Sequence, residues 1–148
     1  GPHQTSSRVQ EMQTKEAFLN DLATYQELAQ RIATGKEKLQ TLLSSYRAEG
    51  KRIVGYGAPA KATTLCYGYG IDGSTLEYIV DDSIIKQGRY MPGTHIPIKP
   101  SSALYDDKPE VCLILAWNFA DSIVKNHEQF VKNGGIFISP VPEPRIIA

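Results

Sequence analysis

The sequence predicts an α/β protein with a mostly parallel sheet, and three observations carry this prediction. A glycine-rich turn joins an apolar strand to a helix within residues 51–65. Apolar runs and helical patterns then alternate with short links as far as residue 139. The run at 110–116 is apolar almost throughout, which is typical of a strand covered on both faces. Short links between parallel strands imply right-handed crossovers, so we expect a Rossmann-like sheet of about five strands in the order 3-2-1-4-5, flanked by helices.

Composition limits the classes of function. The chain has 148 residues, 41% of them apolar and 22% charged, as expected for one domain with an appendage. Its 16 Lys and Arg balance 16 Asp and Glu, so no overall basic field favours nucleic acid. No apolar run approaches the roughly 20 residues of a membrane helix, and the polar start shows no signal peptide. We therefore expect a cytoplasmic protein that binds neither nucleic acid nor membrane.

Cysteine and histidine are too sparse for a metal site. Cys66 and Cys112 lie in a predicted helix and a predicted strand without metal-type spacing, which favours two reduced, buried thiols over a disulfide. Only His95 and His127 follow the first few residues, so the usual zinc ligand sets cannot be assembled.

The N-terminal third is predicted to be helical. Residues 1–7 resemble a protease-cleavage scar and linker and are excluded from the fold, and 8–49 are interpreted as a helical connector with a break or bend near Thr34 and Gly35. Its apolar residues recur at alternating spacings of four and three along one stripe: Phe18, Leu22, Tyr25, Ala29, Ile32, Leu39, Leu43 and Tyr46. This stripe can cover the sheet, form a coiled coil or pack on a neighbouring domain. Packing on the sheet is favoured for the second half.

The Rossmann-like domain is predicted over residues 50–148. Its strands are expected at 53–56, 76–80, 95–98, 110–116 and 135–138. Its helices are expected at 60–69, at 102–105 with Ser101 as the cap, and from Asn118 to about Lys132. Residues 140–148 are interpreted as a proline-rich tail.

The turn after the first strand is the leading candidate site. The order of strand, Gly55-x-Gly57 and helix start aims free backbone N–H groups at a phosphate. No Ser, Asp or Asn precedes Pro59 to cap the helix, and Lys61 stands in its first turn, where a cation is disfavoured by about 0.3–1 kcal/mol. A bound anion would resolve both features, whereas a plain structural turn would leave Lys61 in solvent. The candidate binding residues here are Gly55, Tyr56, Gly57, Ala58, Pro59 and Lys61.

Other candidates follow the carboxyl ends of later strands, where such sheets bind ligands. Asp81 or Asp82 stands where a dinucleotide fold keeps its ribose-binding carboxylate, although both also suit a turn. Trp117 can stack on a base or sugar, or close the end of the core, and Asn118 can bind ligand or cap a helix.

The loop after the second strand adds two weaker candidates, Thr94 and His95. His95 is the one candidate for a general base, but no carboxylate partner can be assigned to it, and a structural role is the alternative. No Ser/His/Asp or Cys/His arrangement with a local signature is present.

Several linked motifs together resemble the C-terminal domain of S-adenosylmethionine-dependent sugar C-methyltransferases, over roughly residues 39–148. They are Gly55-Tyr-Gly-Ala-Pro-Ala-Lys61, Val80-Asp-Asp-Ser83, Gln87-Gly88, Pro92-Gly-Thr-His-Ile-Pro-Ile98, Ala116-Trp-Asn118, Gly134-Gly135 and Pro140-Val-Pro-Glu-Pro144. The resemblance implies a three-part parent enzyme with a zinc-binding region, a methyltransferase domain and this domain, acting in deoxysugar biosynthesis.

The resemblance also implies how the work is divided among those parts. This domain would help to hold a nucleotide-diphosphate sugar against the methyltransferase domain of the same parent chain. S-Adenosylmethionine and the proton-transfer residues are expected in that other domain, so this chain should bind no cofactor and methylate nothing alone. Assembly of copies through the N-terminal helix is a further expectation.

Two other functions stay open on sequence grounds. The glycine turn and Asp81 allow an independent NAD(P)-dependent oxidoreductase, although Ala60 stands in place of the third glycine. A non-catalytic interaction module, assembled through the N-terminal stripe, is the other alternative.

Overall fold

The structure is a computed structural model that describes residues 6–147. Its internal contacts form two compact units, Gly1–Thr34 and Gly35–Ala148. Of the residues interpreted as a linker, 1–5 lie outside the described part, and helix α1 (Ser7–Lys15) begins at the last of the seven.

The N-terminal helices differ from the prediction in where the chain is interrupted. A short 3₁₀ helix, Ala17–Asn20, follows α1, and α2 then runs from Leu22 to Ala48. Helix α2 continues through Thr34 and Gly35, so the predicted break is wrong there, and the alternative of a bend stays a prediction. Gly35 serves packing instead, because a Cβ at this position would lie 3.2 Å from the Tyr69 hydroxyl.

The second half of α2 packs on the sheet, which confirms the favoured interpretation of that part of the stripe. Leu39, Leu43 and Tyr46 are buried in one face of the core. Gln40 Nε2 donates to the Tyr69 carbonyl at 2.8 Å. The first half of the apolar stripe is exposed, and its exposed residues include Phe18, Leu22, Tyr25 and Ile32.

Six strands form one sheet, and the predicted order of its first five is confirmed. The strands are β1 (Ile53–Tyr56), β2 (Ile79–Val80), β3 (Ile98–Lys99), β4 (Val111–Ile114), β5 (Ile136–Ser139) and β6 (Arg145–Ile146). Their order is β3-β2-β1-β4-β5-β6, with every neighbouring pair parallel except β5 and β6. The tail predicted at 140–148 therefore contains an edge strand. Strand β6 begins at Arg145, directly after Pro144, because from there the backbone again has N–H groups that can donate hydrogen bonds.

Four helices belong to the α/β unit besides the end of α2: α3 (Ala60–Tyr69), α4 (Ala103–Asp106), α5 (Ala120–Asn126) and α6 (Glu128–Lys132). The bounds of α3 agree with the prediction. Two predicted helix caps are wrong. Ser102, not Ser101, is the residue before α4, and its side chain forms no capping hydrogen bond. Asn118 lies inside a 3₁₀ turn, Trp117–Phe119, which comes before α5. The helix predicted from 118 to 132 is interrupted at His127.

Apolar side chains cover both faces of the sheet, as the apolar run at 110–116 indicates. One face packs against α2 and α3, with Ile53, Leu113 and Ile138 pointing towards it. The other face packs against α4, α5 and α6, with Val54, Cys112 and Phe137. Cys66 and Cys112 are buried free thiols, and burial raises the pKa of Cys66 to about 11.

Two kinds of feature are absent from the residues that the structure describes. Among residues 6–147, no helix is long and apolar enough to cross a bilayer. The same residues contain no group of three His, Cys, Asp or Glu side chains placed to hold a metal ion.

Candidate functional site

The glycine turn between β1 and α3 has little free space around its backbone. Gly57 has φ of 84°, and its N–H donates to the Val80 carbonyl at 2.7 Å. A Cβ on Gly57 would lie 2.6 Å from the Cβ of Ala116, which follows β4. Both the left-handed backbone and this close approach require glycine at position 57.

Asp81 clamps this turn from the end of β2. Its Oδ2 accepts the Ala58 N–H at 2.7 Å and the Lys86 ammonium at 3.0 Å, and its Oδ1 accepts the Ser83 N–H at 2.9 Å. Burial alone would raise the pKa of Asp81, but the N–H groups of Ala58 and Ser83 and the charge of Lys86 outweigh it and lower the pKa. An internal carboxylate therefore satisfies one N–H group of the turn, and Asp81 has little acceptor capacity left for a ribose.

The start of α3 still presents two backbone donors. Pro59 precedes the helix without a side-chain cap, and Ala62 N–H is the first to bond back to it, at 2.9 Å. The N–H groups of Ala60 and Lys61 have no acceptor among residues 6–147. A helix start with unsatisfied donors and a positive dipole end favours an anion.

Lys61 is held at the same edge by an aromatic side chain. Its ammonium lies 4.4 Å from the centre of the Trp117 ring and 6.0 Å from that of Phe119. Within residues 6–147, Lys61 forms no salt bridge with a carboxylate. The structure thus brings together two predicted site residues, Lys61 and Trp117, from the ends of β1 and β4. Trp117 also packs on the core, as one of its two predicted roles requires, and its stacking on a base or sugar stays a prediction.

Among residues 6–147, no hydrogen bond or ring contact joins the predicted loop candidates, Thr94 and His95, to Lys61 or Trp117. His95 is exposed with φ of 55°, and the Thr94 hydroxyl is buried without a hydrogen-bond partner in the described chain. Pro92 lines a groove of about 380 Å³ beside Ala58, Pro59 and Arg89, but Thr94 and His95 do not line it. Asn118 is exposed in its 3₁₀ turn.

A chain of hydrogen bonds on the other side of the turn includes a residue that the sequence did not indicate, His127. Tyr56 Oη lies 2.8 Å from Asp82 Oδ2 and 2.8 Å from His127 Nε2, and His127 Nδ1 lies 2.8 Å from Tyr105 Oη. An ionised Asp82 only accepts, so the Tyr56 hydroxyl donates to it, and the Tyr56 oxygen accepts a hydrogen bond from the Nε2–H of His127. Nδ1 of the neutral ring then accepts from Tyr105.

The surroundings of these hydrogen-bonded side chains keep Tyr56, Tyr105 and His127 neutral. Burial, followed by the hydrogen bond to Asp82, raises the pKa of Tyr56, and burial raises the pKa of Tyr105. Burial lowers the pKa of His127, and the charge of Asp82 opposes it only in part. The crevice beside the chain holds about 260 Å³ and is lined by Tyr56, Asp82, Phe119, Ser122 and Asn126, among others.

We expect the His127 ring to titrate below the ordinary histidine value of about 6.5. Burial disfavours the charged ring, and the nearby negative charge of Asp82 partly compensates. Substituting Asp82→Asn removes that charge and should lower the pKa of His127 further. Titration of the imidazole resonances by NMR measures both values. A wild-type midpoint above 6.5, or a rise in the Asp82→Asn variant, would contradict the hydrogen-bonded arrangement.

The fold and the site together define a class of protein. Lys61, Trp117 and the open start of α3 meet where the strand order reverses, between β1 and β4, which is where sheets of this kind bind ligands. This arrangement is that of a Rossmann-like α/β domain with a candidate ligand site at the point of reversal.

Comparison with known proteins gives the family. Residues 1–142 match the family described as "C-methyltransferase C-terminal domain", and the chain belongs to it. It is also 36% identical over 124 residues to C-methyltransferase NovU of Streptomyces niveus, a match that covers 84% of this chain and 30% of that protein. The chain thus spans less than a third of the length of that relative.

Proposed function

We propose that this domain binds the nucleotide-diphosphate sugar substrate of an S-adenosylmethionine-dependent C-methyltransferase. The substrate would be a keto or deoxy sugar carried on a nucleotide. The domain would hold the diphosphate at the start of α3 and present the sugar to the methyltransferase domain of the same parent chain. The methyl donor belongs to that domain in this proposal, so the present chain alone is not expected to transfer a methyl group.

The observation that carries the proposal is the position of Lys61. An ammonium in the first turn of a helix is disfavoured by the dipole, yet Lys61 stands in that turn with its ammonium over Trp117. The N–H groups of Ala60 and Lys61, in the same turn, have no acceptor among residues 6–147. A diphosphate would accept hydrogen bonds from these N–H groups and pair with the ammonium. Its negative charge would offset the repulsion between the ammonium and the positive end of the helix dipole. Membership of the C-methyltransferase C-terminal domain family supports a substrate role over an unrelated binding function.

Replacing Lys61 with alanine should weaken the binding of a nucleotide sugar by about tenfold or more, the loss expected for a charge-assisted hydrogen bond. Isothermal titration of the wild-type chain and the variant with dTDP-glucose measures the difference. Lys132→Ala is the matched control. This lysine is exposed on α6 and pairs with Glu128. It precedes β5 and so lies towards the amino ends of the strands, whereas Lys61 follows the carboxyl end of β1. The control should bind as the wild type does.

The same titration with NAD and S-adenosylmethionine separates the alternatives. Tighter binding of NAD than of dTDP-glucose, unaffected by Lys61→Ala, would favour an oxidoreductase domain. Binding of S-adenosylmethionine by the isolated chain would contradict the proposed division of labour. No binding of any nucleotide would favour an interaction module.

A further inference from the structure

The crevice between β1 and β4 differs in chemistry from the start of α3. It opens beside Tyr56 and Gly57 on one side and Ser122 and Asn126 of α5 on the other, with the exposed ring of Phe119 at its edge. None of the described residues that line it is a lysine or arginine. Lys86 balances the charge of Asp81, whereas Asp82 forms no salt bridge among residues 6–147. The negative charge of Asp82 therefore disfavours a phosphate in the crevice and suits a ligand group that donates hydrogen bonds.

The neighbouring carboxylates of Asp81 and Asp82 differ in how many hydrogen bonds they accept from the protein. Asp81 accepts three hydrogen bonds from the protein, which leaves it little capacity for a ligand. Asp82 accepts one hydrogen bond, from Tyr56 to Oδ2, and its Oδ1 has no partner among residues 6–147. Its residue is exposed, so Oδ1 is free to accept from a group in the crevice.

The hydrogen-bonded chain behind Asp82 fixes how that carboxylate is presented. Tyr56 is buried, and its hydroxyl is itself oriented by Nε2 of His127, which Tyr105 holds through Nδ1. Neither tyrosine can turn freely, because His127 is packed against both rings, with centroids at 5.1 and 6.0 Å. A charged acceptor held in this way loses little conformational freedom on binding.

We propose that the crevice is a sugar-hydroxyl subsite, in which Asp82 accepts from a ring hydroxyl and Tyr56, His127 and Tyr105 act as positioning residues. This inference rests on the proposed function and names the part of the substrate that lies here. A volume of about 260 Å³ is below the roughly 300–1,000 Å³ of pockets for whole drug-sized ligands, and suits one sugar ring. The ring is either the furanose of the nucleoside or the pyranose of the attached sugar.

Three probes distinguish these sources: inorganic pyrophosphate, which has no ring hydroxyl, dTDP, which has a furanose hydroxyl, and dTDP-glucose, which has both rings. The variant is Asp82→Asn, an exposed substitution that keeps the shape of the side chain. We expect it to weaken the binding of hydroxyl-bearing probes by about tenfold, because the ring hydroxyl then meets a neutral amide in place of a charged acceptor. Tyr56→Phe should give a smaller loss of about two- to fivefold for the same probes, since it only loosens Asp82. Competition titrations measure the three affinities, and melting temperature reports global damage.

The pattern of losses decides the outcome. A loss confined to dTDP-glucose places the pyranose in the crevice, and a loss shared by dTDP and dTDP-glucose places the furanose there. Unchanged affinity of Asp82→Asn for every probe, while Lys61→Ala weakens them, would overturn this inference and leave the proposed function standing. Equal losses for all three probes, pyrophosphate included, would also overturn it, because general damage would explain them. If the wild-type chain binds no probe, the proposed function fails and this inference fails with it.

Discussion

Replacing Gly57 with alanine is expected to lower the free energy of unfolding by about 3 kcal/mol. A non-glycine residue held at φ of 84° costs about 1–3 kcal/mol, and overpacking a filled site costs about 1–3 kcal/mol more. The new Cβ would lie 2.6 Å from that of Ala116, on a backbone that Val80 and β4 hold on both sides. Urea unfolding followed by circular dichroism measures the loss.

A control glycine and a second substitution separate the two contributions. Gly68 lies in α3 without left-handed φ, and a Cβ there meets nothing within 4 Å, so Gly68→Ala should stabilise the chain by up to about 1 kcal/mol. Adding Ala116→Gly to the Gly57→Ala variant removes the clash but not the backbone cost, and should restore about half of the loss. A loss below 1 kcal/mol for Gly57→Ala would show that the turn can move away from β4.

Replacing Asp81 with alanine should lower the free energy of unfolding by a similar amount, about 2–4 kcal/mol. The substitution leaves the half-buried Ala58 N–H without its acceptor and Lys86 without its partner. The side chain of Asp81 is 9% exposed, so water can replace the lost acceptor only in part. Asp106→Ala is the control, since that carboxylate is exposed on α4 and should change stability by no more than about 0.5 kcal/mol. Loss of these contacts should also weaken the nucleotide binding proposed above, since the turn precedes Lys61.

The contribution of Asp81 should depend on pH in a defined direction. Its pKa is lower in the folded chain than in the unfolded chain, where it is about 3.9, so its stabilisation is present above that value. The stabilisation is lost as the pH falls through the folded pKa. The difference in unfolding free energy between the wild type and Asp81→Asn should therefore shrink below about pH 4. A difference that stays constant from pH 7 to pH 3 would contradict the clamp.

Local patterns were sufficient for the turn and for the order of the sheet. The bounds of β1 and α3 agree with the prediction, because a short apolar run, two glycines and a proline are signals contained within about ten residues. The prediction of Lys61 as an anion-binding residue rests on an equally local signal, its place in the first turn of a helix. The family resemblance, read from motifs along most of the chain, was confirmed by the family match.

Errors arose where a long-range contact outweighed a local preference. Gly35 suggested a break in α2, but its missing side chain admits Tyr69 instead. Asn118 suggested a helix cap, yet the chain forms a 3₁₀ turn there and α5 begins at Ala120. The final proline-rich segment gave no strand signal, and β6 forms because β5 offers a free edge.

The sequence alone therefore determined the α/β class, the strand order and the position of the glycine turn, because periodicity and turn chemistry depend on neighbouring residues. Only the tertiary structure decided which of two carboxylates accepts several hydrogen bonds from the protein and which keeps an oxygen available for a ligand. Asp81 and Asp82 are adjacent in sequence, yet one meets Ala58 and Lys86 and the other meets Tyr56. His127 joins the site from 71 positions along the chain, through a hydrogen bond that no local pattern encodes. Such contacts follow from how helices and strands pack, since packing brings together residues whose spacing along the chain carries no signal.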